Sequence, residues 1–127
     1  MTKRVIVVDD SPVTVKILSA FFSKTLGYEV VASGGNGEEA IALFNEHKPD
    51  LITLDMSMPI MDGSQALVEI LNTHPQARIM MISASQNQEV TECLRKGAKT
   101  YMEKPIQVNN EAYLSDFKAS LEEAFAN

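Results

Sequence analysis

The chain has one cysteine, Cys93, so no intramolecular disulfide can form and a reducing, cytoplasmic setting is expected. It also lacks any apolar run near the roughly 20 residues of a membrane-spanning helix. The basic-then-apolar start, Met1 to Val8, breaks at Asp9 without a small-residue cleavage site, which reads as a strand rather than a signal peptide. Cations are scarce: 11 Lys and Arg against 17 Asp and Glu leave a formal charge of −6, and no basic stripe offsets it. Direct nucleic-acid binding is therefore disfavoured, because such a surface repels phosphate backbones. Repeats, low-complexity tracts and linkers are missing as well, so the 127 residues read as one domain, 1–127. A chain of this length buries roughly 65–70% of its unfolded surface and needs no structural metal to fold.

Five short apolar runs alternate with longer stretches of helical period. The runs are Val5–Val8, Val30–Ala32, Leu51–Leu54, Ile79–Ile82 and Thr100–Met102. Continuous apolar character at strand length predicts strands covered on both faces, as in a parallel sheet. Between them, Ser11 and Pro12 open a helix with Val15, Leu18, Phe22 and Leu26 on one face, stopped by Gly27. Further helices are predicted from Glu38 to His47, Ser64 to about Thr73, Gln86 to Lys96, and about Asn110 to Phe125. Strict strand–helix alternation with right-handed crossovers predicts a doubly wound (βα)5 fold. Five strands suggest a parallel sheet of order 2-1-3-4-5, flavodoxin-like, with ligands at the carboxyl ends of the strands.

Those ends carry the chemistry. The first strand ends in Asp9 and Asp10, the third in Asp55 and the fourth in Ser83; Lys104 and Pro105 follow the fifth. Neighbouring first and third strands bring three carboxylates to one pocket, where like charges are unfavourable unless a cation joins them. An oxygen-only cluster suits a hard ion, Mg²⁺ in particular. A carboxylate nucleophile, a divalent ion, a lysine and a hydroxyl together make a phosphoryl-transfer site that yields an acyl phosphate. Each piece alone is ordinary: an isolated Asp-Asp is usually a loop feature and a Lys-Pro usually a turn. Their joint placement at the strand ends of one sheet raises the functional reading above chance.

Val5-Ile-Val-Val-Asp-Asp-Ser11, Asp55-Met-Ser-Met-Pro-Ile-Met-Asp-Gly63, Ile82-Ser-Ala84, Gly97-Ala98 and Tyr101-Met-Glu-Lys-Pro105 together resemble a response-regulator receiver domain of two-component signalling, of the stand-alone, chemotaxis-regulator type. The resemblance implies that Asp55 is the phosphoacceptor. It implies that Asp10, Asp55 and the backbone carbonyl of Ser57 bind Mg²⁺ directly, with Asp9 acting through water. Lys104 and Ser83 would hold the phosphoryl group, Tyr101 and Ser83 would form the switch, and Pro105 would follow a cis peptide bond. Ser57 and Ser85 occupy variable positions expected to tune acyl-phosphate hydrolysis. Implied partners are a sensor histidine kinase or phosphotransfer protein and a downstream protein at the surface of the fourth helix, fifth strand and fifth helix. Neither a membrane span nor nucleic acid is implied, and a monomer is expected. The domain would assist its own phosphorylation and dephosphorylation without turning over an external metabolite. Ile106, where an aromatic often follows the Lys-Pro, and the longer stretch Gln107 to Glu111 depart from the family pattern.

Other readings compete. A haloacid-dehalogenase-like phosphatase needs a second Asp two residues after its nucleophile, and Ser57 stands there. A flavin or nucleotide carrier needs a glycine or hydroxyl cradle, whereas Asp9-Asp10-Ser11-Pro12 is acidic. A purely structural interaction module stays open. Gly34-Gly-Asn-Gly37 lacks the Lys-Ser/Thr of a phosphate loop and reads as a turn. His47 and His74 read as solvated residues at helix ends. Met56, Met58, Met61, Met80 and Met81 read as packing, and Cys93 as an unreactive helix-face residue.

Overall fold

The structure, a computed structural model, describes residues 2–84 and 88–126. Five strands, β1 (Arg4–Val8), β2 (Glu29–Gly34), β3 (Leu51–Asp55), β4 (Ile79–Ser83) and β5 (Thr100–Glu103), alternate with helices. These are α1 (Pro12–Ala20), α2 (Gly37–His47), α3 (Gly63–Thr73), α4 (Gln88–Lys96) and α5 (Glu111–Phe125). All strand pairs are parallel, and the sheet order is β2-β1-β3-β4-β5, as the alternation predicts. The predicted start of the fourth helix at Gln86 lies outside the described residues.

The three central strands are buried and, between their ends, apolar but for Thr53, because both faces are covered. Ile6, Val8, Ile52, Leu54, Ile79 and Met81 pack on one face against Ala40, Phe44, Ala66, Leu67, Ile70 and Cys93 of α2, α3 and α4. Val5, Val7, Leu51, Met80 and Ile82 pack on the other against Leu18 of α1 and Phe117 and Leu121 of α5. The edge strand β2 has no fully buried residue, which fits its shorter apolar run.

Helix starts follow local chemistry. The Ser11 side chain accepts from the Thr14 amide, and Pro12 occupies the first turn, where no amide partner is needed. Asn36 and Asn110 cap α2 and α5 in the same manner, while Asp62 and Gln65 form a reciprocal capping box on α3. The first helix departs from a simple 3.6-residue face: after Ala20 it widens into a π-helical turn over Phe21–Thr25. That turn buries both Phe21 and Phe22, whose rings meet Phe117 edge-on at centroid distances of 5.0 and 5.8 Å. The predicted face included Phe22 but omitted Phe21.

Candidate phosphoacceptor pocket

Register places the functional side chains side by side. Val8 pairs with Leu54, so Asp9 and Asp55 emerge as neighbours at the ends of β1 and β3. Asp55 in turn pairs with Ile82, and Ser83 with Glu103, so Ser83 and Lys104 complete a row of strand ends. Asp9, Asp55 and Ser83 are buried, Lys104 is partly buried and Asp10 is exposed at the mouth.

The carboxylates of Asp9, Asp10 and Asp55 offer oxygens within 4.8 Å of one another. The Lys104 ammonium lies 2.8 Å from Asp9 Oδ2 and 3.2 Å from Asp55 Oδ1, bridging the two buried acids. Asp9 Oδ1 accepts from the Ser11 amide at 2.9 Å, and among the described residues Asp9 Oδ2 meets no partner beyond the lysine. One ammonium against three carboxylates leaves the pocket negative. Burial, followed by the charge of Asp9, raises the Asp55 carboxyl from 3.8 to about 6; Lys104 opposes this, and the hydrogen bond with Asp10 adds to it. Burial alone would lower the lysine, but the hydrogen bond it donates to Asp9 and the charges of Asp55 and Asp9 outweigh it and raise the ammonium.

This donor set fits a hard divalent cation. It consists of oxygens only, carries excess negative charge, and includes a buried carboxylate oxygen whose sole partner among the described residues is an ammonium. Asp10, Asp55 and Asp9 are the side chains that would hold Mg²⁺.

The loop after Asp55 is fixed by backbone contacts. Met56 donates to the Ile82 carbonyl and accepts from Gly63, which closes residues 56–63 into a compact turn. Any Cβ at Gly63 would run into the Asp55 carbonyl, so only glycine lets α3 begin this close to the acceptor. Within the loop, Met61 donates to Pro59 across Ile60, a β-branched residue at φ 70° and 75% exposed. Ser57, expected as a carbonyl ligand, is exposed on this loop. Met61 also accepts from Gly37, so the glycine-rich turn before α2 braces the acceptor loop rather than cradling phosphate.

Ser83 ends β4 and its carbonyl accepts from the Lys104 amide at 2.7 Å; Ser85 lies outside the described residues. The Lys104–Pro105 bond is cis. Tyr101 is half-buried, set against the core on the α2–α4 side and lining an outer groove of about 560 Å³ with Leu94, Met102, Tyr113 and Ser120. The histidines stand apart from the pocket: His47 ends α2 beside Glu46, and His74, capping α3, bonds Asn45 and packs on Phe44. Cys93 is buried, with its thiol raised by that burial, and lies 3.7 Å from Met56 Sδ. Sequence reasoning missed Tyr113, whose hydroxyl donates to the Glu103 carbonyl at 2.6 Å; no motif signals it, because the contact joins a helix to a strand end.

Comparison with known proteins agrees with this geometry. Residues 5–112 match the family described as response regulator receiver domain. The chain is 41% identical over 110 residues to chemotaxis protein CheY of Bacillus subtilis, covering 86% of this chain and 91% of the relative. It is also 41% identical over 108 residues to CheY of Thermotoga maritima, covering 84% and 89%. Among solved structures, the CheX-CheY-BeF3-Mg²⁺ complex from Borrelia burgdorferi contains a similar chain, with TM-score 0.87 and 34% identity, covering 98% of this chain and 90% of that one. The response regulator domain of Thermotoga maritima CheB superposes with TM-score 0.85 at 28% identity, covering 100% and 99%.

Proposed function

Because the chain belongs to the response regulator receiver domain family, we propose that it is a phosphoacceptor switch that takes a phosphoryl group on Asp55 from a histidine kinase or phosphotransfer protein and signals to a separate protein. The observation that carries this reading is the Asp55 carboxylate itself, buried at a strand end, flanked by Asp9 and Asp10, and 3.2 Å from Lys104.

In the transfer, an Asp55 oxygen attacks phosphorus and the phosphorus–nitrogen bond of a phosphohistidine breaks. The electron pair stays on the imidazole, and the product is an acyl phosphate. Bound Mg²⁺ would neutralise charge on the phosphoryl oxygens. Lys104 supplies a second positive charge to those oxygens, and the Ser83 hydroxyl donates to one of them once the bond has formed. Lys104 gives up its contact with Asp55 for the incoming group, while Asp9 keeps the ammonium aimed inward.

The added charge, about −1.5 to −2, biases a two-state equilibrium. Ser83 moves toward the phosphoryl group and Tyr101 turns inward, which changes the α4-β5-α5 surface read by the downstream protein. The groove beside Tyr101 supports that choice of surface. Ser57 and Ser85 set how water reaches the acyl phosphate, so substitutions there change its lifetime more than the stability of the fold. The domain aids its own phosphorylation and hydrolysis and turns over no metabolite. It acts as a monomer in the cytoplasm, in keeping with its lone buried thiol and the absence of any described helix long and apolar enough to cross a membrane.

Incubation with a small acyl-phosphate donor tests the reading by intact mass. One added phosphoryl group, dependent on Mg²⁺ and absent from Asp55→Asn, is the expected result. Labelling that persists in Asp55→Asn would contradict the assignment.

A further inference from the structure

We propose that Tyr113 is a positioning residue for Lys104: its hydroxyl clamps the last peptide of β5 and so fixes the point from which the lysine reaches the acceptor pocket. The proposal rests on the phosphoacceptor reading of that pocket.

The peptide joining Glu103 to Lys104 is held from two sides. The N–H and C=O of a trans peptide point in opposite directions. The Lys104 amide donates inward to the Ser83 carbonyl at 2.7 Å, so the Glu103 carbonyl points outward. β5 is the edge of the sheet, where no further strand can meet that carbonyl. The Tyr113 hydroxyl supplies the missing donor at 2.6 Å. One peptide is thus held from both sides, and Lys104 departs from it to place its ammonium 2.8 Å from Asp9 and 3.2 Å from Asp55.

The clamp has its own support. Asn110 caps α5 by accepting from the Tyr113 amide at 3.0 Å, and its side-chain amide donates to Gln107 Oε1 at 3.2 Å. The segment 107–110 therefore sets Tyr113 in the first turn of α5, over the end of β5. The Tyr113 ring is buried and packs near Phe117, which leaves the hydroxyl little freedom to leave the carbonyl. Ile106, a modest aliphatic residue after the Lys-Pro turn, packs at the margin of the same cluster. A residue needed only to fill space there would be served equally by phenylalanine.

Tyr113→Phe keeps the ring and removes the hydroxyl. With a small acyl-phosphate donor and saturating Mg²⁺, it is expected to label about fivefold more slowly, the factor that one net hydrogen bond represents. Its Mg²⁺ affinity should match the wild type, since the carboxylates are untouched. In metal-free protein, amide exchange at Lys104 should accelerate while that of Ile6 and Ile52 stays unchanged. Adding Tyr113→Phe to Lys104→Met should cost nothing further, because the clamp acts only through the lysine. A wild-type labelling rate in Tyr113→Phe, or slowing that multiplies in the double variant, would overturn the inference while the pocket reading stands. A wild-type protein that takes no label at all would overturn the pocket reading and this inference with it.

Discussion

Replacing Asp55 by asparagine should stabilise the metal-free protein, and the amount follows from the site's charge. The Asp55 carboxyl sits at about 6 instead of 3.8 because it is buried and faces Asp9. A shift of roughly two units, at about 1.4 kcal/mol each, makes the ionised native site unfavourable by about 3 kcal/mol above pH 6. Asparagine resembles the protonated acid, so it removes this term, in which the contact with Lys104 is already counted; allowing for an amide NH2 where a carboxylate oxygen accepted, a net gain of about 2 kcal/mol is expected. For a chain of this size that is roughly 8 °C in Tm. The sign with pH is definite. Between the unfolded value of 3.8 and the folded value near 6, the native state binds the extra proton, so wild-type stability from this group rises as pH falls. The advantage of Asp55→Asn should thus be full at pH 8, shrink through pH 6 and vanish near pH 4. Mg²⁺ should also narrow it, since the cation favours the ionised native site. Urea unfolding in chelator at pH 8, 6 and 4 measures all of this. An Asp55→Asn protein no more stable than wild type at pH 8, or an advantage that widens on acidification, would show that the ionised Asp55 carboxylate is not a destabilising charge in the folded site.

Three further outcomes follow from single residues. Gly63→Ala forces a Cβ against the Asp55 carbonyl and should destabilise by about 2 kcal/mol or more while slowing labelling of Asp55, read by denaturant midpoint and mass; wild-type values in both would show that the loop yields freely. Ile60→Gly relieves a β-branched residue at φ 70° without losing packing, so a gain of about 1 kcal/mol in the same unfolding assay is expected, and a loss would mean that the side chain stabilises the loop. Cys93 is buried and its thiol is raised, so a disulfide reagent at pH 8 should modify it only as fast as the protein opens; fast modification under native conditions would contradict that burial.

Much of the fold was legible because its signals are local and repeated. Val5–Val8, Leu51–Leu54 and Ile79–Ile82 have strand length and no polar face, which only a sheet covered on both sides accommodates. Strand order then carried Asp9, Asp10, Asp55 and Lys104 to one place, and the register brings them together. Less legible were features that depend on contacts between distant segments. Phe21 joins the core through a π-helical turn, which a 3.6-residue period does not register. The 2.8 Å pairing of Lys104 with Asp9 decides how the ammonium is held, yet the two residues follow strands, β5 and β1, that are not neighbours. Gly37 reads as a simple turn residue until its amide is found bracing Met61 of the acceptor loop. Tyr113 looks like one more apolar position of α5, because an edge strand's outward carbonyl leaves no mark in the sequence.

Asp55, and no other carboxylate, should take the phosphoryl group. Reductive trapping after reaction with a small acyl-phosphate donor and Mg²⁺ converts an acyl phosphate to a stable alcohol, which peptide mass mapping then locates. A single modified residue, Asp55, lost when Mg²⁺ is chelated, is the expected result. Trapping at Asp9, Asp10 or a surface carboxylate, with Asp55 unmodified, would contradict it.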